Sequence, residues 1–469
     1  MTGIELIIMF VILIAFMIFM MSKLNVHAFL ALLITSLALG LLSAGLPLVD
    51  VTVDGVIIEG LSTIIASGFA GTMQSIGLVI IFGTMIGTIL ELTGGAFKLA
   101  DMVIKLVGKK RPVLGIMMMG WIVSLVVFVI PGYVVLDPVR KALVKKTRIS
   151  GVAAAVALSL GLYTSHTFIP PTPGPIAAAK TLYEGAGLSV NLLLIMGMGV
   201  LVSIPCLIGS YIFSNYIGKK VKSKEDLDLD NITQSYEEII ASYGKLPGIF
   251  SSIMIILLPL LLIGLGSFGE MQGWTGMGGE LVAFFGTPYI AIAIGVICGV
   301  IQIWQVGKMS KFHDLCNNTL KIAGPIAFLV ACSGILGSVI VSTDIVDYIS
   351  ANVGTLTTIG IFLPFILAAI IKTAQGSTTV SMITTSGIVA PMLGILGLDS
   401  SIGVALCVMS IGSGALIASH ANDAQFWAVM EGTAMTPVQG YKTQTLGTLI
   451  QGLCGIAGVY ILSIIFLGF

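Results

Sequence analysis

Ser165 to Pro175 reads S-H-T-F-I-P-P-T-P-G-P and lies inside a long apolar segment. Four prolines and one glycine within eleven residues cannot be carried by a continuous transmembrane helix. Each interior proline removes a backbone hydrogen bond and clashes with the preceding turn, and glycine weakens the helix further. Backbone freed in this way is tolerated at membrane depth only where protein or a water-filled cavity satisfies it. Broken helices of this kind mark substrate sites in secondary transporters. The stretch therefore reads as half of a carrier's binding site.

Composition agrees. Of 469 residues, 57% are hydrophobic and 9% charged, against roughly 25% charged in soluble domains. A soluble enzyme is excluded, and the zero net charge gives no reason to expect nucleic acid. The lipid bilayer is the expected surrounding. The 57 glycines suit closely packed membrane helices. Six scattered cysteines show no metal-ligand spacing and read as apolar packing residues, so neither metal nor cofactor is expected. The run from Ile4 to Met21 reads as a retained first helix, since it lacks a basic leader and a small-residue cleavage site.

Apolar runs of bilayer-spanning length fall near 4–22, 26–46, 73–92, 188–214, 247–268, 280–304, 324–342 and 443–467. Lysine and arginine cluster at 98–111, 140–148, 219–245 and 308–321, and these loops are placed in the cytoplasm. The acidic loops around Asp50, Glu270 and Asp344 are placed outside. Residues 112–136 are apolar yet have basic clusters at both ends. A single crossing would export one cluster, so a re-entrant hairpin from the cytoplasm is expected, turning at or before Pro131-Gly132. A second hairpin, entered from outside between Asp347 and Asp399, has its tip at Ala374-Gln375-Gly376.

The order repeats: a crossing helix, a hairpin, then a helix broken at a Ser-His pair, Ser165-His166 first and Ser419-His420 second. The two units have opposite orientation, as inverted-topology repeats do. The expected fold is an all-α polytopic membrane protein with two re-entrant hairpins and two broken helices. Residues 1–60 hold the N-terminal helices. Repeat 1 spans 61–217, with its hairpin at about 112–147 and its broken helix at about 149–186. A cytoplasmic loop (218–245) and linking helices (246–304) follow. Repeat 2 spans 305–440, with its hairpin at about 353–396 and its broken helix at about 400–431, and 441–469 holds the C-terminal helix.

Four features meet near the expected midplane. They are the first break, the second tip, the second break, and the first hairpin tip around Pro131, Gly132 and Tyr133. Half-helix N-termini attract anions, and the freed carbonyls hold cations. The substrate-binding candidates are Ser165, His166, Thr167, Pro171, Gly174, Lys372, Gln375, Gly376, Ser377, Thr378, Thr379, Ser419 and Asn422. Their hydroxyls and amides offer donors and acceptors to a hydroxylated ligand. Lys372 is a lysine at membrane centre, which costs at least ~2.5 kcal/mol on insertion scales and needs a partner. It either neutralises a substrate carboxylate or has a structural role, pairing with a protein carboxylate such as Asp423 or snorkelling to an interface. His166, His420 and Asp423 are the candidates for carrying a coupled proton, and Asp423 alternatively for holding a cation. The structural readings beside these are histidines bonding broken-helix backbone, Asp137 at the membrane interface, and 219–245 as a solvated connector. An intramembrane enzyme finds no support, because neither H-E-x-x-H nor G-x-S-x-G is present.

These motifs together resemble the gluconate permease family of the ion-transporter superfamily. The resemblance covers nearly the whole chain. It is carried by S-H-T-F-I-P-P-T-P-G-P at 165–175, A-Q-G-S-T-T-V at 374–380 with Lys372 just upstream, and S-H-A-N-D at 419–423. It implies an inner-membrane proton symporter for a sugar acid or hydroxy acid, such as gluconate or glycerate. It also implies a homodimer whose mobile part carries the site past a scaffold part, as in an elevator. Thr172 stands where that family's motif typically has a second histidine, and Ile130 where its first hairpin tends to carry an acidic residue. The hydroxyl-rich second tip also looks like that of sodium-coupled carboxylate carriers. A sodium-coupled carboxylate transporter or an inorganic-ion exchanger is the alternative.

Overall fold

A computed structural model describes residues 4–24, 26–43, 46–53, 55–108, 111–125, 127–227, 245–344, 360–420 and 423–468. The helices are α1 Ile4–Ser22, α2 Ala28–Leu42, α3 Leu61–Thr93, α4 Gly95–Val103, α5 Pro112–Val123, α6 Val129–Thr147, α7 Gly151–Phe168, α8 Pro173–Gly185, α9 Leu192–Lys220 and the short α10 Lys224–Leu227. There follow α11 Ile249–Met271, α12 Gly276–Gly286, α13 Pro288–Gln305, α14 Phe312–Val341, α15 Phe362–Gln375, α16 Thr378–Val389, α17 Ser401–Leu416, α18 Ala424–Thr433, α19 Pro437–Gly440 and α20 Leu446–Leu467. Strands β1 Val51–Val53 and β2 Val56–Ile58 form one antiparallel hairpin before α3. Among the described residues, six helical segments are long and apolar enough to cross a membrane, seven if the bent α3 counts as one span. Their outward faces carry exposed Ile204, Ile208, Leu261 and Ile465, and α1 exposes Val11 and Ile12, a surface suited to lipid.

Among the described residues the fold is all-α apart from that hairpin, with two helix–turn–helix hairpins (α5–α6 and α15–α16) and two broken helices (α7–α8 and α17–α18). The repeated order is visible in packing as well. In each repeat the broken helix lies against the first arm of its own hairpin through a glycine. A Cβ on Gly161 of α7 would sit 2.1 Å from the Met117 carbonyl of α5, and one on Gly414 of α17 would sit 2.1 Å from the Phe365 carbonyl of α15. Small residues allow such backbone approach where no hydrophobic effect drives helices together. Helices α1–α3 and α11–α14 pack as one group, and α5–α9 with α15–α20 as another. Between the groups, α8 and α16 face α3 and α14.

One expectation is narrowed and two are adjusted. The first hairpin turns between α5 and α6, before Pro131-Gly132, and both of those residues already belong to α6. Proline is harmless there, because the first turn's N–H groups have no helical acceptor. The first break falls at Ile169–Thr172, so Ser165, His166 and Thr167 form the last turn of α7. The crossing helix expected at 73–92 begins at Leu61 and bends by about 40° between Gln74 and Gly77. Residues 353–359 of the second hairpin lie outside the described residues.

Candidate functional site

Each element that reaches the centre has a local reason to end there. Gly376, at φ 90°, terminates α15, and the Ser377 hydroxyl caps α16 by accepting from Val380 N at 3.3 Å. Only glycine takes that left-handed conformation without cost. Pro173 opens α8 after the proline break, where its missing N–H costs nothing. The Asp423 carboxylate caps α18, accepting from Gln425 N at 3.0 Å through Oδ1.

The other oxygen of Asp423 is the hub. Oδ2 accepts from Lys372 Nζ at 2.6 Å, from Ser419 Oγ at 2.7 Å and from Tyr163 OH at 2.5 Å. Lys372 also donates to the Gly376 carbonyl, and its Nζ lies 5.7 Å from the Tyr163 ring centroid. The ion pair joins α15 of the second hairpin to the second break, and Tyr163 adds the first broken helix. Of the two readings of Lys372, this structure holds the pairing with Asp423.

Beside the pair lies a cavity of about 420 Å³, a size suited to small ligands. Its wall is supplied by Phe128 to Pro131 of the first hairpin, Tyr163 and His166 of α7, Gly376 to Val380 of the second tip, and Asp423 to Gln425. All four features expected near the midplane therefore reach one space. His166, Gly376, Ser377, Thr378, Thr379 and Asp423 line it directly. The His166 ring lies 5.6 Å from the Phe128 ring, and its Nδ1 is buried without a hydrogen-bond partner. Residues of α14, Ile322 to Leu329, and His27 at the start of α2 complete the wall.

The remaining candidates sit around this centre. Ser165 Oγ and Thr167 Oγ1 are buried and unpartnered, as is Thr378 Oγ1. Thr172 Oγ1 donates to the carbonyls of His166 and Ile169, both at 2.8 Å, and so satisfies broken-helix backbone. Pro171 lies in the break, its carbonyl 3.2 Å from where a Gly83 Cβ would stand, and Gly174 packs on Met382 of α16. Gln375 ends α15. His420 is half-buried, with Nε2 3.0 Å from the Thr373 carbonyl. Asn422 lies outside the described residues. Among the described residues there is no cluster of three or more His, Cys, Asp or Glu side chains able to hold a metal.

Two residues were not singled out in the sequence. Tyr163 bonds the hub, and Gln425 lines the cavity while donating from Nε2 to Ser159 at 3.1 Å. Their signal was available: each is a polar-tipped side chain next to a break motif, in surroundings that leave few polar partners.

Comparison with known proteins places the chain firmly. The GntP family permease profile matches residues 4–465. An uncharacterized permease of Haemophilus influenzae is 29% identical over 465 residues, covering 96% of this chain and 90% of that protein. The Gnt-II system L-idonate transporter of Escherichia coli is 26% identical, covering 95% and 96%. The high-affinity gluconate transporter of Escherichia coli is 27% identical, again over 95% and 96%. The crystal structure of the Alcanivorax borkumensis YdaH transporter superimposes with TM-score 0.65 over 94% of this chain and 96% of that one, at 15% identity. That last likeness concerns the fold alone.

Proposed function

The chain belongs to the GntP family of permeases, and from that premise we propose that it takes up a sugar acid or hydroxy acid, such as gluconate or glycerate, by proton symport. It is a multi-pass inner-membrane transporter and not an enzyme. The observation that carries the proposal is the buried Lys372–Asp423 pair, whose carboxylate lines the central cavity.

The pair is neutral. A substrate carboxylate attracted to Lys372 must compete with Asp423 for the ammonium. Once it succeeds, the site holds one cation and two anions, and Asp423 is a buried carboxylate without its counter-charge. Such a group costs several kcal/mol and takes up a proton instead. One proton per carboxylate restores neutrality, which is symport. Tyr163 and Ser419 hold Asp423 in place, and as hydroxyls they can accept from its protonated form after donating to its charged form. The hydroxyls of Ser377, Thr378 and Thr379 and the amide of Gln425 offer partners to the substrate's own hydroxyls.

Helix ends supply the rest of the anion's surroundings. The free N–H groups of α16 and α18 begin at Ser377 and Asp423, on the same cavity wall. We read α1–α3 and α11–α14 as the scaffold and the other group as the mobile part of an elevator, working as a homodimer. On the charge-based orientation, the α14 residues of the cavity wall lie in its cytoplasmic half, which suits an inward-open state.

A second reading is sodium coupling. It is favoured by the buried, unpartnered hydroxyls of Ser165, Thr167 and Thr378 beside the two half-helix ends.

The deciding measurement uses purified protein in proteoliposomes, with gluconate and glycerate supplied outside and internal pH recorded. Uptake that acidifies the lumen without sodium supports proton symport. Uptake that needs sodium and leaves pH unchanged transfers the coupling role to the hydroxyl set. No uptake of any hydroxy or sugar acid would remove the substrate assignment.

A further inference from the structure

We infer that Arg140 and Glu225 form a positioning node that holds the far ends of three of the helices reaching the central cavity, α6, α7 and α18. Arg140 is fully buried, and each of its five N–H hydrogens has an acceptor. Nε donates to Asp137 Oδ1 at 2.7 Å. Nη1 donates to Glu225 Oε1 at 2.7 Å and to the Gly151 carbonyl at 3.4 Å. Nη2 donates to Glu225 Oε2 at 2.8 Å and to the Gly432 carbonyl at 3.2 Å. The charges balance, because Asp137 Oδ2 also takes Lys141 at 2.9 Å.

The acceptors come from four separate stretches of chain. Asp137 belongs to α6, Gly151 opens α7, Gly432 stands near the end of α18, and Glu225 lies in α10 within the connector after α9. The neighbouring Asp226 accepts from Gly151 N at 2.6 Å and from Ser223 N at 3.0 Å. A stretch that reads as a solvated connector is therefore docked at Ser223–Asp226. Glycine permits the approach. A Cβ on Gly151 would stand 2.8 Å from Glu225 Oε1, and one on Gly432 would stand 3.1 Å from Asp137 Oδ1.

Each of these three rods has its other end in the cavity. Helix α6 carries Val129 to Pro131, α7 carries Tyr163 and His166, and α18 is capped by Asp423. The rods reach from the node to the site over about 13–22 Å at 1.5 Å per residue. No member of the node lines the cavity. A bidentate guanidinium–carboxylate pair fixes distance and angle in a way that a lysine or an apolar contact does not. Buried pairs of this kind can often be replaced by apolar residues without loss of stability. What this one supplies is register: it keeps the first hairpin tip, Tyr163 and Asp423 in one mutual arrangement while the site moves.

The test compares wild type with Arg140→Met/Glu225→Met, which removes both charges and leaves Asp137 to Lys141. Three readouts are taken: melting temperature, amide hydrogen exchange, and gluconate flux in proteoliposomes. The flux arm rests on the transport reading above, whereas the exchange arm needs no substrate. The expected result is a melting temperature within a few degrees of wild type. Exchange should be at least tenfold faster in the cytoplasmic turns of α6, α7 and α18, with α13 unchanged as an internal reference. Maximal flux should fall at least tenfold, with the half-saturating concentration changed less than threefold. Glu225→Gln, which keeps shape and loses charge, should move exchange and flux in the same direction by less, and it decides the matter if the double variant is not recovered folded. Unchanged exchange in the three helices of either folded variant would overturn the inference. So would flux that falls only in proportion to the folded fraction. Absence of flux in wild type would count against the substrate and leave the exchange result to judge the node.

Discussion

At Lys372 an ammonium and the Asp423 carboxylate lie 2.6 Å apart, with 1% and 8% of their side chains exposed. Truncating one partner of such a pair leaves the other buried and unpaired, which costs roughly 2–5 kcal/mol. Lys372→Met should therefore lose on the order of 100-fold in gluconate affinity, read by calorimetry on purified protein. Adding Asp423→Asn should recover thermal stability without recovering affinity. Wild-type affinity in the single variant would remove Lys372 from the site. Under the proposed proton symport, Asp423→Asn alone has no carboxylate to take up the coupled proton. It should exchange labelled substrate across the membrane yet fail to accumulate it under a pH gradient; full accumulation would release Asp423 from coupling. The charged pair was legible in the sequence as two candidates, since a lysine and an aspartate in apolar surroundings each demand a partner. Tyr163 was passed over although it stands beside the Ser165-His166 motif, because its position there does not say which group its hydroxyl meets.

At the scale of elements, the breaks and hairpins follow from rules that act locally. Proline removes a donor, glycine permits a left-handed turn, and basic flanks forbid a crossing. These sufficed for the two broken helices and for the second tip at Gly376, where α15 ends. They bounded the first hairpin's turn at or before Pro131-Gly132 without fixing it, because Pro131 can be read either as a breaker or as a first-turn residue, and only the fold chooses. Packing between elements was beyond them. Gly161 and Gly414 lie in helices with nothing in their local sequence to separate them from other glycines, yet each faces a carbonyl at contact distance. Gly161→Ala and Gly414→Ala should each destabilise the protein by about 1–3 kcal/mol through overpacking, seen as a lower melting temperature. Gly187→Ala makes a poor control because of its φ of 69°; Gly197→Ala, which meets nothing within 4 Å, should leave the melting temperature unchanged.

For the whole molecule, the elevator reading requires α16 to slide against α14. A Cβ on Gly337 of α14 would lie 3.7 Å from the Gly387 carbonyl of α16. Cysteines at both positions, Gly337→Cys and Gly387→Cys, should form a disulfide under oxidation that stops flux while substrate still shifts the melting temperature. Reduction should restore flux. Undiminished flux in the cross-linked protein would mean that these two helices stay together and that the moving boundary lies elsewhere.

The sequence by itself determined that this is a membrane carrier with two breaks and two hairpins. Hydropathy, charge asymmetry and proline act through the bilayer on each segment separately, and so they can be read segment by segment. It also marked Lys372 and Asp423, because an ionisable group in a low-dielectric setting is conspicuous wherever it occurs. Tertiary structure alone decided that the two are partners, that Tyr163 and Ser419 complete the hub, and that a connector residue, Glu225, docks on Arg140. Those are contacts between residues up to 260 positions apart, as Tyr163 and Asp423 are, and they depend on how rods pack rather than on what any one stretch of chain prefers.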